Sequence, residues 1–505
     1  MNPSVDANWK EDGNFKRGIS KSGFLAGLQC SKLLWCRYNA PEAFPAVDDS
    51  TQAAFDQGHE VARLARTLYS DGREIWDGRR DLDQALRETQ EAVTERRPLF
   101  ESAFAYAGGF ALVDILNPIG RAEWELVEVK STVEVKDVNV QDVAFQAFLL
   151  TGTGLKVHKC TLMHLDRNYV RRGPLEPKRM FVRQDVTEEA AQRSRSIVAR
   201  LEEMQKTVGQ RTCPEVVIGA HCEHPFPCPL HDQCWTFLPE HSVLDLYRGK
   251  KRGFDLLHRG FSRISEIPET ERLTAIQRTQ KQVIKDGRPH IEKRPIERFL
   301  KQIQFPAYFL DFETFQMALP PYDGASPGQQ IPFQFSLHVL RSLDAEPEHT
   351  MFLAQDAQDP RPEFLRQLQG LLGRSGSIVA YNAQFERGVL RECSDNLPNY
   401  AAWFRETEKR FVDLLNPFRA FRYYHPAQRG SASMKAVLPA LVGNSYDGLE
   451  IQEGGTASLE FCRVTFGNVS EDERRRVRRN LEVYCSKDTM GMMEIVRALR
   501  QLCSR

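Results

Sequence analysis

Apolar and polar residues alternate through Ala307-Tyr308-Phe309-Leu310-Asp311-Phe312-Glu313-Thr314. Successive side chains of a strand face opposite ways, so Asp311 and Glu313 project together while Phe312 packs behind them. A second apolar run leads into Tyr381-Asn382-Ala383-Gln384-Phe385-Glu386. From Ser470 the period changes. Ser470 is placed to cap a helix and Glu473 to complete a capping box, and Val477, Leu481 and Tyr484 then recur at helical spacing. Tyr484 and Asp488 therefore share one helix face, a turn apart.

The N-terminal half repeats the mixture. Helix-like segments run from Gly23 to Tyr38 and from Phe55 through Leu68, and β-rich runs cover Gly109 to Leu116 and Trp124 to Lys130. Glu128 and Lys130 fall on one strand face, and a following helix carries Asp142, Phe145, Gln146 and Leu149. The pattern predicts an α/β protein. At 505 residues it exceeds one ordinary core. The expected division is a mobile arm over 1–18, a domain over 19–240, a basic helical connector over 241–304 and a second domain over 305–505.

Charge adds a negative statement first. Lys plus Arg and Asp plus Glu both number 68, so net charge gives no general attraction for nucleic acid and local clusters must supply it. Two clusters qualify: Arg278, Lys281, Lys285, Arg288, Lys293, Arg294, Arg298 and Lys301 in the connector, and Arg474-Arg475-Arg476-Val477-Arg478-Arg479 within three turns of Asp488. Each reads either as a phosphate-neutralising surface or as a solvated helix face. No stretch approaches the roughly 20 apolar residues that cross a bilayer, and no apolar signal core follows Met1, so a cytoplasmic protein without a membrane partner is expected.

Oxygen ligands at Asp311, Glu313, Glu386 and Asp488, with a phenol at Tyr484, suit a pair of divalent cations acting on a phosphodiester. In this order the residues resemble the DnaQ-like exonucleases of the DEDD superfamily, tyrosine subtype, whose motifs are Asp-x-Glu, Asn-x-x-Phe-Asp and Tyr-x-x-x-Asp. The first and last motifs match fully. In the middle motif Glu386 stands where most members have Asp, so either a longer arm or a water holds the second metal, or that site is weakened. Phe411-Val412-Asp413-Leu414 and Gly430 to Lys435 resemble supporting elements of the same RNase H-like fold. The resemblance implies Mg2+ or Mn2+ at these carboxylates and a water oriented by Tyr484.

Asp114 on one strand and Glu128-x-Lys130 on its neighbour form a minimal set for metal-dependent cleavage, in which two carboxylates hold the cation and the lysine orients the nucleophilic water. An exposed strand face with a cross-charge pair is the plainer reading. The set resembles the PD-(D/E)XK nucleases of restriction-endonuclease-like fold, and within them the RecB-like branch, where a helical Gln follows the Lys; Gln146 matches. A helical His ligand is also common there, and Gly58-His59-Glu60 offers one at an unusual offset.

Cys222, Cys228 and Cys234 recur every six residues among prolines and His221, His224 and His231. Three such thiols call for a soft metal and a fourth ligand, with Cys30 the first candidate and Cys36 its rival; zinc and a cubane cluster are both open. The one-plus-three arrangement resembles the iron-sulfur RecB-like nucleases, including the CRISPR-associated exonucleases and the AddB subunits. It implies a [4Fe-4S] cluster on Cys30, Cys222, Cys228 and Cys234 that ties the domain's ends together. Cys160, Cys213, Cys393, Cys462, Cys485 and Cys503 read as ordinary.

The whole chain resembles a bacterial family joining a RecB-like domain to a DnaQ-like one. The resemblance implies a divalent-metal-dependent nuclease that trims DNA ends at Asp311, Glu313, Glu386, Tyr484 and Asp488, with a second site at Asp114, Glu128, Lys130 and Gln146. Two alternatives stand beside it: a nucleic-acid-binding N-terminal module with a single C-terminal active site, and RNA as the substrate.

Overall fold

The computed structural model describes residues 8–11, 14–78 and 81–504. The chain forms two compact units, one of Met1–Phe237 with Met317–Gln329, the other of Leu238–Gln316 with Gln330–Arg505. Both mix helices with sheet, and among the described residues no helix is long and apolar enough to cross a membrane. Of the expected N-terminal arm, residues 1–7, 12 and 13 lie outside the described residues; β1 (Asn8–Glu11) and β2 (Asn14–Arg17) pair antiparallel.

The first unit is built on β3 (Ile19–Ser20), β4 (Arg73–Glu74), β5 (Leu99–Tyr106), β6 (Gly109–Ile119), β7 (Glu123–Lys130), β8 (Lys156–Leu165) and β9 (Phe181–Asp185). Their order is β4-β5-β6-β7-β8-β9, with β3 beside β6. β6 and β7 run antiparallel, whereas β7 and β8 are parallel and need the crossover helix Asp137–Gly152. The residues of β7 between its ends are buried, as expected of a strand covered on both faces. Phe24 stacks on Phe145 at 4.5 Å on one side, and Val61 and Ala65 of helix Asp49–Arg66 pack with Val127 and Val129 in a separate core.

β6 and β7 pair only from Ile115 opposite Val127 onward, while β3 takes the start of β6 at Gly109 and Phe110. The ladder therefore forks at Asp114. Its carboxylate fills the fork, with Oδ2 accepting the Val129 amide at 2.8 Å.

In the second unit β10 (His290–Ile291) pairs with the later β16 (Tyr423–Tyr424). The main sheet comprises β11 (Ala307–Phe315), β12 (Ile331–Leu340), β13 (Glu348–Leu353), β14 (Ile378–Ala380) and β15 (Phe411–Asp413), in the order β13-β12-β11-β14-β15. The first three are antiparallel, and β14 and β15 run parallel to β11. Phe312 packs edge-on to Phe364 at 4.9 Å, behind the face that carries Asp311 and Glu313. On the carboxylate face lies the helix Glu471–Ser504, pinned by Gln334 Nε2 donating to Leu481 O at 3.0 Å and by a Ser336–Thr489 hydroxyl pair at 2.7 Å. Only half of the expected capping box forms: Ser470 Oγ accepts the Glu473 amide at 3.3 Å, but the Glu473 carboxylate accepts Arg463 Nη1 at 2.8 Å. A charged guanidinium competes better for that carboxylate than a neutral backbone amide does.

Candidate functional site

Asp311, Glu313, Asn382, Glu386, Tyr484 and Asp488 line one cleft of about 530 Å³. Strand periodicity delivers the first two, opposite Ser336 and Gln334 of β12. Asn382 turns the chain with φ +73°, its amide donating to Asp413 Oδ1 at 3.1 Å, and this turn starts the helix Gln384–Asn396 that carries Glu386 in its first turn. Helix periodicity delivers Tyr484 and Asp488, both buried. The N-terminal end of helix Gly454–Phe466 closes the far side through Gly454, Gly455 and Ser458. A methyl group at Gly454 would approach Glu313 Oε2 to 3.5 Å.

The carboxylates crowd one another with little positive charge among them. Burial, then repulsion from Asp488, Glu313 and Glu386, pushes Asp311 well above the usual carboxylate range. Burial followed by Asp488 takes Glu313 to about 8, and burial backed by Asp413 takes Glu386 to about 8. Burial takes Asp488 to about 7 against the bond from Tyr446 and the pull of Lys435. Glu386 Oε2 is buried and has no hydrogen-bond partner. An unpaired carboxylate oxygen in a nest of acids is costly unless a proton or a cation joins it. Ligating atoms of Asp311, Glu313 and Cys485 lie within 4.8 Å of one another, a group suited to a metal ion.

Two members were not anticipated. Tyr446 donates its hydroxyl to Asp488 Oδ1, and Cys485, read as ordinary, lies with Sγ 3.7 Å from Asp311 Oδ2. Tyr446 sits in Asn444-Ser445-Tyr446-Asp447-Gly448, whose composition reads only as a turn. Cys485 had one usable signal, its place between Tyr484 and Asp488.

The predicted N-terminal residues also converge. Lys130 Nζ donates to Glu128 Oε1 at 2.7 Å and to Asp142 Oδ2 at 2.8 Å, and Gln146 Nε2 donates to Glu128 Oε2 at 2.7 Å and to Asp142 Oδ1 at 2.9 Å. Lys21 enters from the first turn of helix Lys21–Gln29 and donates to Glu128 Oε1 at 3.0 Å. Burial would raise Glu128, but Lys130 and Lys21 outweigh it and hold the carboxyl far below its ordinary range. Asp114 is pushed up to about 7, by burial and then by Glu128, against Lys21. Asp142 could have been assigned from its position four residues before Gln146 on one helix face. Lys21 had no such signal. His59 and Glu60 lie on helix Asp49–Arg66, Glu60 exposed, and neither bonds to this cluster.

Cys30, Cys222, Cys228 and Cys234 line one small cavity together with His221, His231 and Trp235. Cys30 is the joint between helices Lys21–Gln29 and Ser31–Asn39, extended at φ −162° and ψ 129°, so the expected single helix is broken there. Cys36, the rival fourth ligand, faces Cys213 instead, with a sulfur separation of 4.0 Å. Among the described residues no three of these thiols come within 4.8 Å of one another. Tetrahedral zinc, with Zn–S of about 2.3 Å, needs sulfurs about 3.8 Å apart.

The basic runs are partly occupied within the chain. Lys281 and Lys285 share Glu269 at 2.5 and 3.2 Å. In the arginine run, Arg475 pairs with Asp472 and Arg476 with Glu450, both at 2.6 Å, while Arg478 donates to Ala354 O at 2.7 Å and Arg474 to Val464 O.

Residues 308–433 match a family described as a domain of unknown function, DUF2779. The matched span includes Asp311, Glu313 and Glu386 and ends before Tyr484 and Asp488. No curated protein matches the chain.

Proposed function

We propose that the protein is a divalent-metal-dependent nuclease that hydrolyses phosphodiester bonds of DNA from its ends. The observation that carries the reading is the cleft of Asp311, Glu313, Glu386 and Asp488, whose mutual repulsion is opposed by Lys435 alone among the charges that shift these groups and whose Glu386 Oε2 lacks a partner. These residues fit Mg2+ or Mn2+, which supplies a Lewis acid and an activated water when bound. Tyr484 is assigned to orient that water, and Tyr446 holds Asp488 in place. The order β13-β12-β11-β14-β15, antiparallel then parallel, supports an RNase H-like, DnaQ-like assignment for the second unit. The helix end at Gly454 and Gly455 suits a phosphate beside the cations.

The first unit is proposed to be RecB-like and restriction-endonuclease-like, with a second cleavage site at Asp114, Glu128, Lys130 and Gln146. Its Cys30, Cys222, Cys228 and Cys234 line one cavity and are assigned to a [4Fe-4S] cluster, with zinc as the alternative. The lysine-balanced carboxylates favour a second reading, in which this unit grips a nucleic-acid end and only the C-terminal cleft cuts.

Cleavage of end-labelled DNA and RNA with Mg2+ or Mn2+ by Asp311→Ala and Lys130→Ala tests both. A loss of about 10³-fold, or ~4 kcal/mol of barrier, is expected for Asp311→Ala. Full activity in that variant overturns the C-terminal assignment. Residual cleavage that Lys130→Ala removes establishes two sites, and faster cutting of RNA than of DNA replaces the substrate.

A further inference from the structure

The three carboxylates of the first unit already enclose a cation of their own. Lys21 Nζ lies 3.0 Å from Glu128 Oε1, 3.9 Å from Asp114 Oδ1 and 3.9 Å from Asp142 Oδ1. Lys130 reaches only Glu128 and Asp142, so Lys21 is the one ammonium among the described ion pairs that joins all three acids. A divalent ion shared by Asp114 and Glu128 would need their oxygens at about 2.0–2.6 Å, closer than Nζ lies to either, and would compete with Nζ for the space between them. Two cations so close repel each other.

The lysine is placed there deliberately by its surroundings. Ser20 Oγ accepts the Gly23 amide at 3.0 Å and caps the helix, and the Ser20 amide donates to Tyr38 Oη at 2.9 Å. The first helical residue, Lys21, is thereby aimed across the sheet fork at Asp114. Its side chain keeps 27% exposure, so the flexible stem gives the ammonium a path toward solvent. Formally the three acids and two lysines leave one negative charge; without the Lys21 ammonium they leave two, which matches a divalent ion.

We propose that Lys21 is a resident counter-ion that keeps the Asp114–Glu128–Asp142 cluster closed to divalent metal, and that an ion binds only when this ammonium withdraws. The inference rests on reading the cluster as a cation site, and it concerns binding, not turnover.

The test uses the full-length protein carrying Asp311→Ala, so that the C-terminal cleft does not mask the result. Mn2+ is titrated in and the free ion followed by its electron paramagnetic resonance signal, for that parent and for Lys21→Met and Lys21→Gln added to it. Both variants keep the length of the stem, and thermal unfolding identifies either one that fails to fold. Each is expected to bind one further Mn2+ about ten-fold or more tighter than the parent, and Asp114→Asn to remove that binding. A parent that already binds this Mn2+ as tightly as Lys21→Met overturns the gating role while leaving the cation site intact. If Mn2+ binding by the Lys21 variants is unchanged by Asp114→Asn, the cation site itself is wrong and the gating falls with it.

Discussion

The two carboxylate clusters solve the same electrostatic problem in opposite ways. In the first unit Lys21 pairs with Asp114, Glu128 and Asp142, and Lys130 with Glu128 and Asp142. In the second, Asp311, Glu313, Glu386 and Asp488 repel one another, and the lysine that acts on Glu313 and Asp488, Lys435, is paired with Glu453 at 3.6 Å. A cluster largely neutralised by its own chain needs little further charge as folded. An unbalanced one is stable only in so far as protons or bound cations supply the missing charge.

The contrast extends to pH. Glu313 and Glu386 at about 8 and Asp488 at about 7 hold protons more tightly folded than unfolded. Their contribution to stability is therefore complete in acid and is lost as the pH rises from about 4.5 through 8. Glu128 is depressed when folded, so its contribution is present above the ordinary carboxylate range and is lost only as acid approaches the folded value.

The largest expected effect comes from truncating one acid of the first cluster. Glu128→Ala leaves Lys130 and Lys21 buried against fewer partners and is expected to destabilise the first unit by about 3–5 kcal/mol in urea unfolding. A loss under about 1 kcal/mol would mean that the lysines are solvated and the cluster is not a balanced network. Next in size is the response to metal. Saturating Mn2+, at about 100 times its dissociation constant, should stabilise the protein by about 2.7 kcal/mol at pH 8 and by much less at pH 5.5, where protons hold the same oxygens. Differential scanning calorimetry reads this directly, and equal shifts at both values would break the comparison.

Tyr446→Phe removes a hydroxyl bonded to Asp488 and should lower cleavage by about 10–100-fold while the fold persists by circular dichroism. The smallest effect has the opposite sign to the first. Asp311→Asn relieves repulsion and should raise the metal-free stability of the second unit by about 1 kcal/mol while abolishing cleavage. Destabilisation instead would show that Asp311 is structurally supported by Cys485 and its neighbours, not merely tolerated.

Much of this was legible in the chain wherever a local period decides the direction of a side chain. Asp311 and Glu313 two apart on a strand, Tyr484 and Asp488 four apart on a helix, and the evenly spaced Cys222, Cys228 and Cys234 all come together as their spacing implies. What was hidden depends on contacts between distant segments. Lys21 meets Glu128 across 107 positions and Cys485 meets Asp311 across 174, and neither is marked by its neighbours in sequence. The capping box at Ser470 formed only in its first half, because Arg463, brought close by packing, takes Glu473. The arginine run after it looked like a grip for phosphates, yet four of its guanidiniums are turned to acids and carbonyls of the same unit.

Met317–Gln329 is counted with the first unit although the residues on either side of it belong to the second. The polypeptide therefore passes from one body to the other three times, at 237/238, at 316/317 and at 329/330. No single cut yields both bodies whole: a gene divided at residue 238 would leave Arg171 without the Pro320 and Pro321 carbonyls that it holds at 3.0 and 2.7 Å. For this chain, separating the roles of the two carboxylate clusters calls for point substitutions in an undivided molecule.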